Sequence, residues 1–354
     1  MPGSRTRSLP ERDLDHVVEH TQSLWGELRG GRLFVTGGTG FFGRWMLESF
    51  LRANDELSLG AQAIVLTRDP RAFADAAPDV AGHVAITLES GDVRSFDDPH
   101  GECTHVLHMA TETALGASPA ASFQTAVAGT ERVLGFAARH GVRKLLLTSS
   151  GAVYGPQPPE CERLSEEYVG APRPDDVSAG YAHGKRAAEF LCSVAAAQTG
   201  LQAKIARCFA FVGPLLPLDA NYAVGNFIRD ALYRDRIEVT GDGTPRRSYL
   251  YAADLAAWLW TILFRGESGR PYNVGSEADL SIFDLALLVA GVLRPGIPVH
   301  VAEIPTAGAL PSRYVPATTR AARELNLHSR VDLDDAVLRT AQWYLAGPTP
   351  RRRG

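Results

Sequence analysis

Short apolar runs rich in β-branched residues alternate with helix-length segments over most of the first two thirds of the chain. Six of these runs predict strands, at residues 33–35, 63–66, 84–88, 105–109, 144–148 and 203–206. Strands that alternate with helices form parallel sheets whose right-handed crossovers cover both faces. The pattern therefore predicts the α/β class, with a doubly wound parallel sheet.

Two regions depart from this alternation. Apolar residues at helical spacing over 13–28, ended by Gly30 and Gly31, predict a helix before the first strand. At 215–241, and again from 280 onward, Pro, Gly and amphipathic helical pieces dominate. We predict an N-terminal helical extension at 1–30, a sheet domain at 31–207 to which 245–276 return, a smaller C-terminal α/β lobe at 208–244 and 277–348, and a tail at 349–354.

Composition and charge narrow the class of partner. The chain is 45% hydrophobic and 21% charged, which is typical of globular proteins. Its 36 Lys and Arg against 40 Asp and Glu give a net charge of −4, so we expect neither a nucleic-acid nor a membrane partner. The most apolar stretches, 255–264 and 285–293, are shorter than the roughly 20 residues of a membrane-spanning helix. With no secretory signal at the N-terminus, we expect a cytoplasmic protein.

The cysteines and histidines predict no metal site. Four cysteines are widely spaced without a C-x-x-C pair, so we interpret them as small buried side chains rather than as metal ligands or a disulfide framework. His105 and His108 lie three apart around a predicted strand, but no H-E-x-x-H or comparable ligand set accompanies them.

A glycine-rich segment follows the first predicted strand. It reads Thr36-Gly-Gly-Thr-Gly-Phe-Phe-Gly43 and leads directly into a helical segment. Glycines at this spacing permit a tight turn and close approach of backbone N–H groups to a pyrophosphate at the helix N-terminus. Because the strand before it and the helix after it are both predicted, the motif indicates a Rossmann dinucleotide site. The residues expected to bind the cofactor here are Gly37, Thr39, Gly40, Phe41, Phe42 and Gly43.

A second set of residues carries candidate chemistry. Tyr181 and Lys185 stand at i and i+4 near the start of a predicted helix and so share one face. An ammonium beside a phenol favours the phenolate, which would make Tyr181 a general base. Ser150 ends the strand at 144–148, at the sheet edge where doubly wound folds bind their ligands. Alone, the Tyr and Lys spacing is far more typical of a surface helix; together with the glycine segment and Ser150 it indicates a hydride-transfer site.

The chain resembles an extended short-chain dehydrogenase/reductase of the NAD-dependent epimerase/dehydratase type, which acts on nucleotide sugars. The likeness runs from about Arg32 to Tyr344. It rests on the glycine segment, Gly91-Asp92-Val93, His108-Met109-Ala110, Ser149 to Gly155, Tyr181 with Lys185, Arg207 with Gly213-Pro214, Asn226-Phe227-Ile228, Gly241-Asp242-Gly243 with Arg247, and Tyr272 to Gly275.

The resemblance implies roles for these residues. Ser150, Tyr181 and Lys185 would be catalytic, with Tyr181 and Lys185 also holding the cofactor. Asp92, Val93 and Ala110 would add cofactor contacts, although Asp92 alone is equally typical of a helix N-cap. The substrate would be held by Thr111, Ser150, Gly151, Asn226, Arg247 and Arg313, the arginines pairing with its diphosphate. A homodimer with a four-helix interface is also implied.

Departures from the family pattern narrow the reaction. Directly after the position of Ser150, sugar 4,6-dehydratases carry an Asp-Glu pair, and decarboxylases carry Glu at the second of these two positions. This chain has Gly151 and Ala152 there. Ala126 and Ala210 replace two usual Asn residues. We therefore expect hydride transfer at C4 of a nucleotide sugar, by a 4-epimerase or a 4-ketoreductase. A 4,6-dehydratase and a non-catalytic dinucleotide-binding sensor are the alternatives.

The end of the second strand bears on the choice of cofactor. Thr67 stands where NAD users of the family usually carry Asp, and Arg68 follows it. An arginine pairs with the extra phosphate of NADP, so NADP is favoured over NAD. The alternative is that Arg68 stacks on the adenine while Asp69 binds the ribose.

Overall fold

The computed structural model describes residues 7–111 and 118–347. The helices are α1 Glu11–Thr21, α2 Phe41–Glu56, α3 Pro70–Ala76, α4 Pro78–Ala81, α5 Pro119–Arg139, α6 Gly180–Thr199, α7 Ala223–Tyr233, α8 Ala252–Arg265, α9 Ile282–Leu293, α10 Thr319–Leu325 and α11 Leu333–Leu345. The strands are β1 Arg32–Thr36, β2 Gln62–Thr67, β3 Ile86–Ser90, β4 His105–His108, β5 Lys144–Ser150, β6 Gln202–Cys208, β7 Phe211–Val212, β8 Ile237–Val239, β9 Arg246–Ser248, β10 Leu250–Tyr251, β11 Pro271–Val274, β12 Asp279–Ser281, β13 Val299–Val301 and β14 Arg313–Tyr314.

A seven-stranded sheet of order β11-β6-β5-β4-β1-β2-β3 forms the centre of the molecule, and its pairings are all parallel. The six strands predicted from apolar runs form six of its members. The doubly wound parallel sheet expected from the sequence is thereby confirmed. The order reverses between β1 and β4, so the carboxyl ends of these strands flank the crevice where such sheets bind ligands.

Helices cover both faces of the sheet. On one face, α5 and α6 pack over a core that includes Phe34, Phe136 and Ala188. On the other, α2 and α8 contribute to a larger core in which Trp45 and Trp260 are fully buried. Because both faces are covered, the central strands are buried along almost their whole length rather than alternating between buried and exposed residues.

The chain after β6 builds small sheets beside the large one. Strand β9 pairs antiparallel with β12 and parallel with β14, and β8 pairs with β13. The segment 245–276, expected to return to the large sheet, divides between the two parts. Its strand β11 pairs with β6 in the large sheet, whereas Arg246–Ser248 pairs within the small three-stranded sheet.

The N-terminal extension packs on the sheet domain through α1 and the 3-10 helix Gln22–Leu28, which together cover the predicted helix at 13–28. Its buried Asp13 accepts hydrogen bonds from the Tyr251 hydroxyl at 2.7 Å and from Arg339 at 2.9 Å. Trp25 packs against Trp260 with ring centroids 4.6 Å apart. The extension thus joins α11 to the start of α8.

The described residues contain neither a membrane-spanning helix nor a cluster of metal-binding side chains. Among residues 7–111 and 118–347, the helices are too short or too polar to cross a bilayer. In the same ranges, no three His, Cys, Asp or Glu side chains come together as a metal site would require.

Candidate active site

A cavity of about 1610 Å³ follows the carboxyl ends of the central strands and continues into the smaller lobe. Most of the predicted site residues line it: Gly37, Thr39, Gly40, Phe41, Phe42, Gly43, Arg68, Asp92, Val93, Ala110, Thr111, Ser150, Tyr181, Lys185, Asn226 and Arg247. Gly151 and Arg313 lie outside its lining. The fold therefore brings the glycine segment, the Ser-Tyr-Lys set and one predicted arginine to a single space.

The glycine segment makes a tight turn into α2. Gly37 has a φ of 72°, and a Cβ there would lie 2.6 Å from the backbone nitrogen of Ala110. A Cβ on Gly43 would lie 2.3 Å from the oxygen of Gly37, so this glycine permits the helix to approach the turn. The space beside Gly40 is open, and no side chain at this residue caps the first N–H groups of α2. The first N–H groups of the 16-residue helix can therefore bind a phosphate, which fits a dinucleotide.

At the ends of β2 and β3, charged side chains border the same cavity. Asp69 accepts a hydrogen bond from the Ala72 nitrogen at 2.9 Å and caps α3. Asp92 binds Arg94 through both carboxylate oxygens, at 2.7 and 2.8 Å, and hydrogen bonds from Arg94 lower the pKa of its carboxyl group. A turn rather than a helix follows Asp92, so it is not the N-cap that its sequence context also allowed.

Ser150, Tyr181 and Lys185 meet at the end of β5. Lys185 is buried, and its Nζ donates to the backbone oxygen of Thr148 at 2.8 Å. The same Nζ lies 5.9 Å from the centroid of the Tyr181 ring. The Oγ of Ser150 lies 3.5 Å from the hydroxyl of Tyr314, and Tyr181 lines the same cavity close enough to Ser150 for the serine to lower its pKa. The serine hydroxyl thus has two phenols near it.

The electrostatics of this set differ from the sequence expectation. Burial raises the pKa of Tyr181 to about 12, and the hydrogen bond from Ser150 opposes the rise without overcoming it. Burial likewise lowers the pKa of Lys185 to about 8. Desolvation therefore outweighs the effect of the Lys185 ammonium on the phenol, because Nζ is directed to Thr148 rather than to the Tyr181 oxygen.

A buried ion pair supports the set from behind. Glu189, one turn after Lys185 on α6, pairs with Arg207 of β6 at 2.6 Å and accepts from the Ser149 hydroxyl. These contacts join α6 to β5 and β6 next to Ser150 and Lys185. They keep the buried Glu189 carboxylate paired, which avoids the large cost of an unpaired internal charge.

In the smaller lobe, Arg247 points into the cavity without a carboxylate partner among the described residues. Its Nη1 donates to the backbone oxygens of Arg246 at 2.8 Å and Ser312 at 3.4 Å, and burial lowers its pKa. Asn226 also lines the cavity, but its amide already donates to the Ala220 oxygen and accepts from Arg229. Arg247 therefore has the freer donors for an anion.

The pairing of β9 with β14 explains why Arg313 lies elsewhere. Arg313 is in register with Arg246 and Tyr314 with Arg247, and successive side chains of a strand point to opposite faces. Arg246 and Arg313 both bind Asp279, whereas Arg247 and Tyr314 line the cavity. Arg313 therefore pairs with Asp279 outside the cavity lining, and its role in binding the substrate stays a prediction.

Among the cavity residues that the sequence did not single out are Cys208, Phe209, Tyr249 and Tyr314. For Tyr314 a signal existed, because it is the strand neighbour of Arg313, which the sequence did single out. Gly151, also placed outside the lining, lies behind two of the missed side chains: a Cβ there would be 2.7 Å from both the Tyr314 hydroxyl and the Phe209 ring.

Comparison with known proteins agrees with the resemblance drawn from the motifs. The model of the NAD dependent epimerase/dehydratase family matches residues 33–275. UDP-glucuronic acid decarboxylase 6 of Arabidopsis thaliana is 30% identical over 275 residues, 77% of each chain. UDP-glucuronic acid decarboxylase 1 of Xenopus tropicalis is 28% identical over 319 residues, 88% of this chain and 72% of that protein.

Solved structures share the fold. A UDP-N-acetylglucosamine 4-epimerase from Methanobrevibacter ruminantium M1 superimposes with a TM-score of 0.75 at 19% identity, covering 89% of this chain and 98% of that one. The dTDP-glucose 4,6-dehydratase DesIV from Streptomyces venezuelae, with NAD and TYD bound, has a TM-score of 0.73 at 23% identity, covering 89% and 97%. At these identities the likeness concerns the fold.

Proposed function

The chain belongs to the NAD dependent epimerase/dehydratase family of enzymes, and we propose that it transfers a hydride at C4 of a nucleotide-activated sugar. As an epimerase, it would convert the sugar to its C4 epimer. If the cofactor instead exchanges freely, it would reduce a 4-ketosugar to the C4 alcohol. The main support is the group formed by Ser150, Tyr181 and Lys185 at the end of β5, in one cavity with the glycine segment and Arg247.

The proposed roles follow from position and protonation. Ser150 donates to the C4 oxygen, and Tyr181 takes the hydroxyl proton in oxidation and returns it in reduction. Lys185, fixed on Thr148, positions the cofactor ribose and favours the phenolate when charged. The nicotinamide, when bound, supplies or accepts the hydride. Arg247 holds the substrate diphosphate through its free guanidinium N–H groups.

The alternatives to simple hydride transfer have less support. Dehydration and decarboxylation need further acid or base groups after Ser150, but Gly151 and Ala152 bear no ionisable group. This point separates the chain from the decarboxylases to which it is 28–30% identical. A sensor without activity would not need the buried Ser-Tyr-Lys set.

NADP is the cofactor we propose, on the strength of Arg68. Arg68 borders the cavity beyond β2. Asp69, which would otherwise bind the ribose diol of NAD, is engaged in capping α3. An arginine at this edge favours a 2′-phosphate, while a free carboxylate would repel it.

A substrate panel tests the proposal. The protein is incubated with UDP- and dTDP-linked sugars, with and without added NADP(H) or NAD(H), and products are identified by mass and NMR. We expect a C4 epimer without net cofactor change, or a change in reduced-nicotinamide absorbance with a 4-ketosugar. Loss of the mass of water or of carbon dioxide would instead make the protein a dehydratase or a decarboxylase. Unchanged cofactor and sugar throughout the panel would favour the sensor.

We also propose a cytoplasmic homodimer. Residues 133, 136 and 137 of α5 cover the sheet, but Phe123 of α5 is 40% exposed and Phe190 of α6 is 68% exposed. These two helices pack against each other, so their exposed phenyl rings support a four-helix interface between two copies. Sedimentation should give twice the 38.1 kDa chain mass, and Phe190→Asp should give the monomer. Cell fractionation tests the location.

A further inference from the structure

Tyr314 places a second phenol hydroxyl in the site, beside Ser150. Its oxygen lies 3.5 Å from Ser150 Oγ, at the outer limit of a hydrogen bond. Tyr314 is half-buried, and it lines the cavity. Since the contact with Ser150 is long, the Tyr314 proton is available to a ligand.

Tyr314 occupies the space that a side chain at position 151 would need. A Cβ added to Gly151 would be 2.7 Å from the Tyr314 hydroxyl oxygen and 2.7 Å from the Phe209 ring. Real Cβ atoms do not approach other atoms this closely. Gly151 and Tyr314 are therefore complementary: the missing side chain at 151 permits a phenol hydroxyl beside Ser150.

The phenol is held firmly in this position. Its strand neighbour Val315 donates to Gln157 at 2.9 Å and accepts from the backbone nitrogen of Leu164 at 2.8 Å. The Tyr314 ring packs on Phe209 with centroids 4.7 Å apart, and the Arg247 guanidinium lies 6.0 Å from its centroid. A donor fixed in this way binds a ligand without a large cost in side-chain entropy.

The count of hydrogen bonds indicates which ligand atom it would bind. In the proposed reaction the C4 hydroxyl donates to Tyr181 and accepts from Ser150. The hydroxyl groups of Ser150 and Tyr181 are therefore both occupied by the C4 oxygen. Neighbouring hydroxyl oxygens of a sugar ring lie roughly 3 Å apart, because the bonds between their carbons are staggered. The 3.5 Å between Ser150 Oγ and Tyr314 Oη matches two donors that bind two such neighbours.

We propose that Tyr314 is a substrate-binding residue that donates a hydrogen bond to the sugar hydroxyl next to the C4 oxygen, at C3. The inference rests on the proposed function, since it places C4 at Ser150. Burial raises the pKa of Tyr314 above that of a free phenol, so the group is a neutral donor over the working pH range. Tyr314 thus selects sugars that retain this neighbouring hydroxyl.

The test combines one variant with deoxy analogues. Wild-type protein and Tyr314→Phe, both with bound cofactor, are titrated calorimetrically with UDP-glucose, dTDP-glucose and the 3-deoxy and 6-deoxy analogues of each, and kcat/KM is measured where turnover occurs. In the wild type, removal of the C3 hydroxyl should weaken binding by a few-fold to about tenfold. Tyr314→Phe should lose the same factor with the parent sugar and nothing further with the 3-deoxy analogue.

Tyr154→Phe is the matched control. Its phenol is also buried and donates to Asn273 at 2.8 Å, but it does not line the cavity. This variant should be less thermally stable yet keep the full penalty for the deoxy analogue. The proposal is overturned if Tyr314→Phe binds the parent sugar as tightly as the wild type, or if it weakens the parent and both analogues equally.

Because binding and turnover are measured separately, failure of the Tyr314 role can be distinguished from failure of the proposed reaction. If sugar nucleotides bind with the expected pattern but none is turned over, the role of Tyr314 stands and hydride transfer at C4 is wrong. If turnover occurs without the pattern, the reaction stands and Tyr314 is a packing residue. If no sugar nucleotide binds, both are wrong.

Discussion

Lys185 Nζ donates to the backbone oxygen of Thr148 at 2.8 Å, and this buried bond ties α6 to the end of β5. Tyr181 precedes Lys185 by one helical turn, and Ser150 follows Thr148 by two strand residues. The bond therefore fixes Tyr181, the proposed base, and Ser150, the proposed donor to the substrate oxygen, relative to each other. The first predictions concern these two groups.

Tyr181→Phe should abolish turnover while the protein still binds its cofactor, because the ring packing is kept and only the proton-transferring oxygen is removed. A general base contributes about 10²–10⁴-fold to the rate. Steady-state kinetics measure the loss, and fluorescence titration with NADPH measures binding. A Phe variant that retained near-full rate with any accepted sugar would show that another group is the base.

Ser150→Ala should move the ascending limb of the pH profile to higher pH, as well as lowering the rate. Burial raises the pKa of Tyr181 to about 12, and the hydrogen bond from Ser150 is the contact that lowers it. Loss of that bond disfavours the phenolate, so the pKa rises further. Profiles of kcat/KM for sugar oxidation check the shift. An unmoved limb with only a lower plateau would limit Ser150 to binding the substrate oxygen.

Arg247→Ala should weaken sugar-nucleotide binding far more than cofactor binding. Loss of a charge-assisted contact costs about 1.5–3 kcal/mol, or one to two decades of affinity. Calorimetry measures both affinities. Arg173→Ala is the control, since Arg173 is exposed and pairs with Asp175 away from the cavity; it should leave both unchanged. Equal substrate affinity in the two variants would remove the diphosphate role.

No 4,6-dehydration should occur at a useful rate. Gly151 and Ala152 can neither donate nor accept the protons that removal of water requires. A mass-spectrometric screen with dTDP-glucose and UDP-glucose follows the loss of water, with a known 4,6-dehydratase as the positive control. A clear loss would mean that other residues supply the acid and the base.

Arg68→Ala should raise the dissociation constant of NADP(H) and leave that of NAD(H) within a few-fold. The lost pair with the 2′-phosphate is worth about 1.5–3 kcal/mol and is absent from NAD. Parallel fluorescence titrations with both reduced cofactors measure the difference. Equal weakening, or NAD that copurifies tightly with the unaltered protein, would favour NAD and the epimerase outcome.

The sequence predicted what depends on periodicity and local motifs. Six apolar runs identified six strands, and the glycine segment and the Tyr181-Lys185 spacing identified residues that share one cavity. Spacing alone does not report the direction of a side chain in a short strand, so the sequence singled out Arg313, which pairs with Asp279, and not its neighbour Tyr314, which lines the cavity. The pKa of Tyr181 was also misjudged, because a pattern shows which charges are near but not how fully the group is desolvated.

The buried Asp13 means that the family-matched segment, which starts at residue 33, does not include everything that holds the protein together. Cleavage between the extension and β1 would free the carboxylate and leave the Tyr251 hydroxyl and the Arg339 guanidinium facing each other without it. Arg339 belongs to α11, and Tyr251 immediately precedes α8. Loss of the extension, far from the cavity, would thus remove one of the contacts that hold the C-terminal helix, which packs also on α7 and α9.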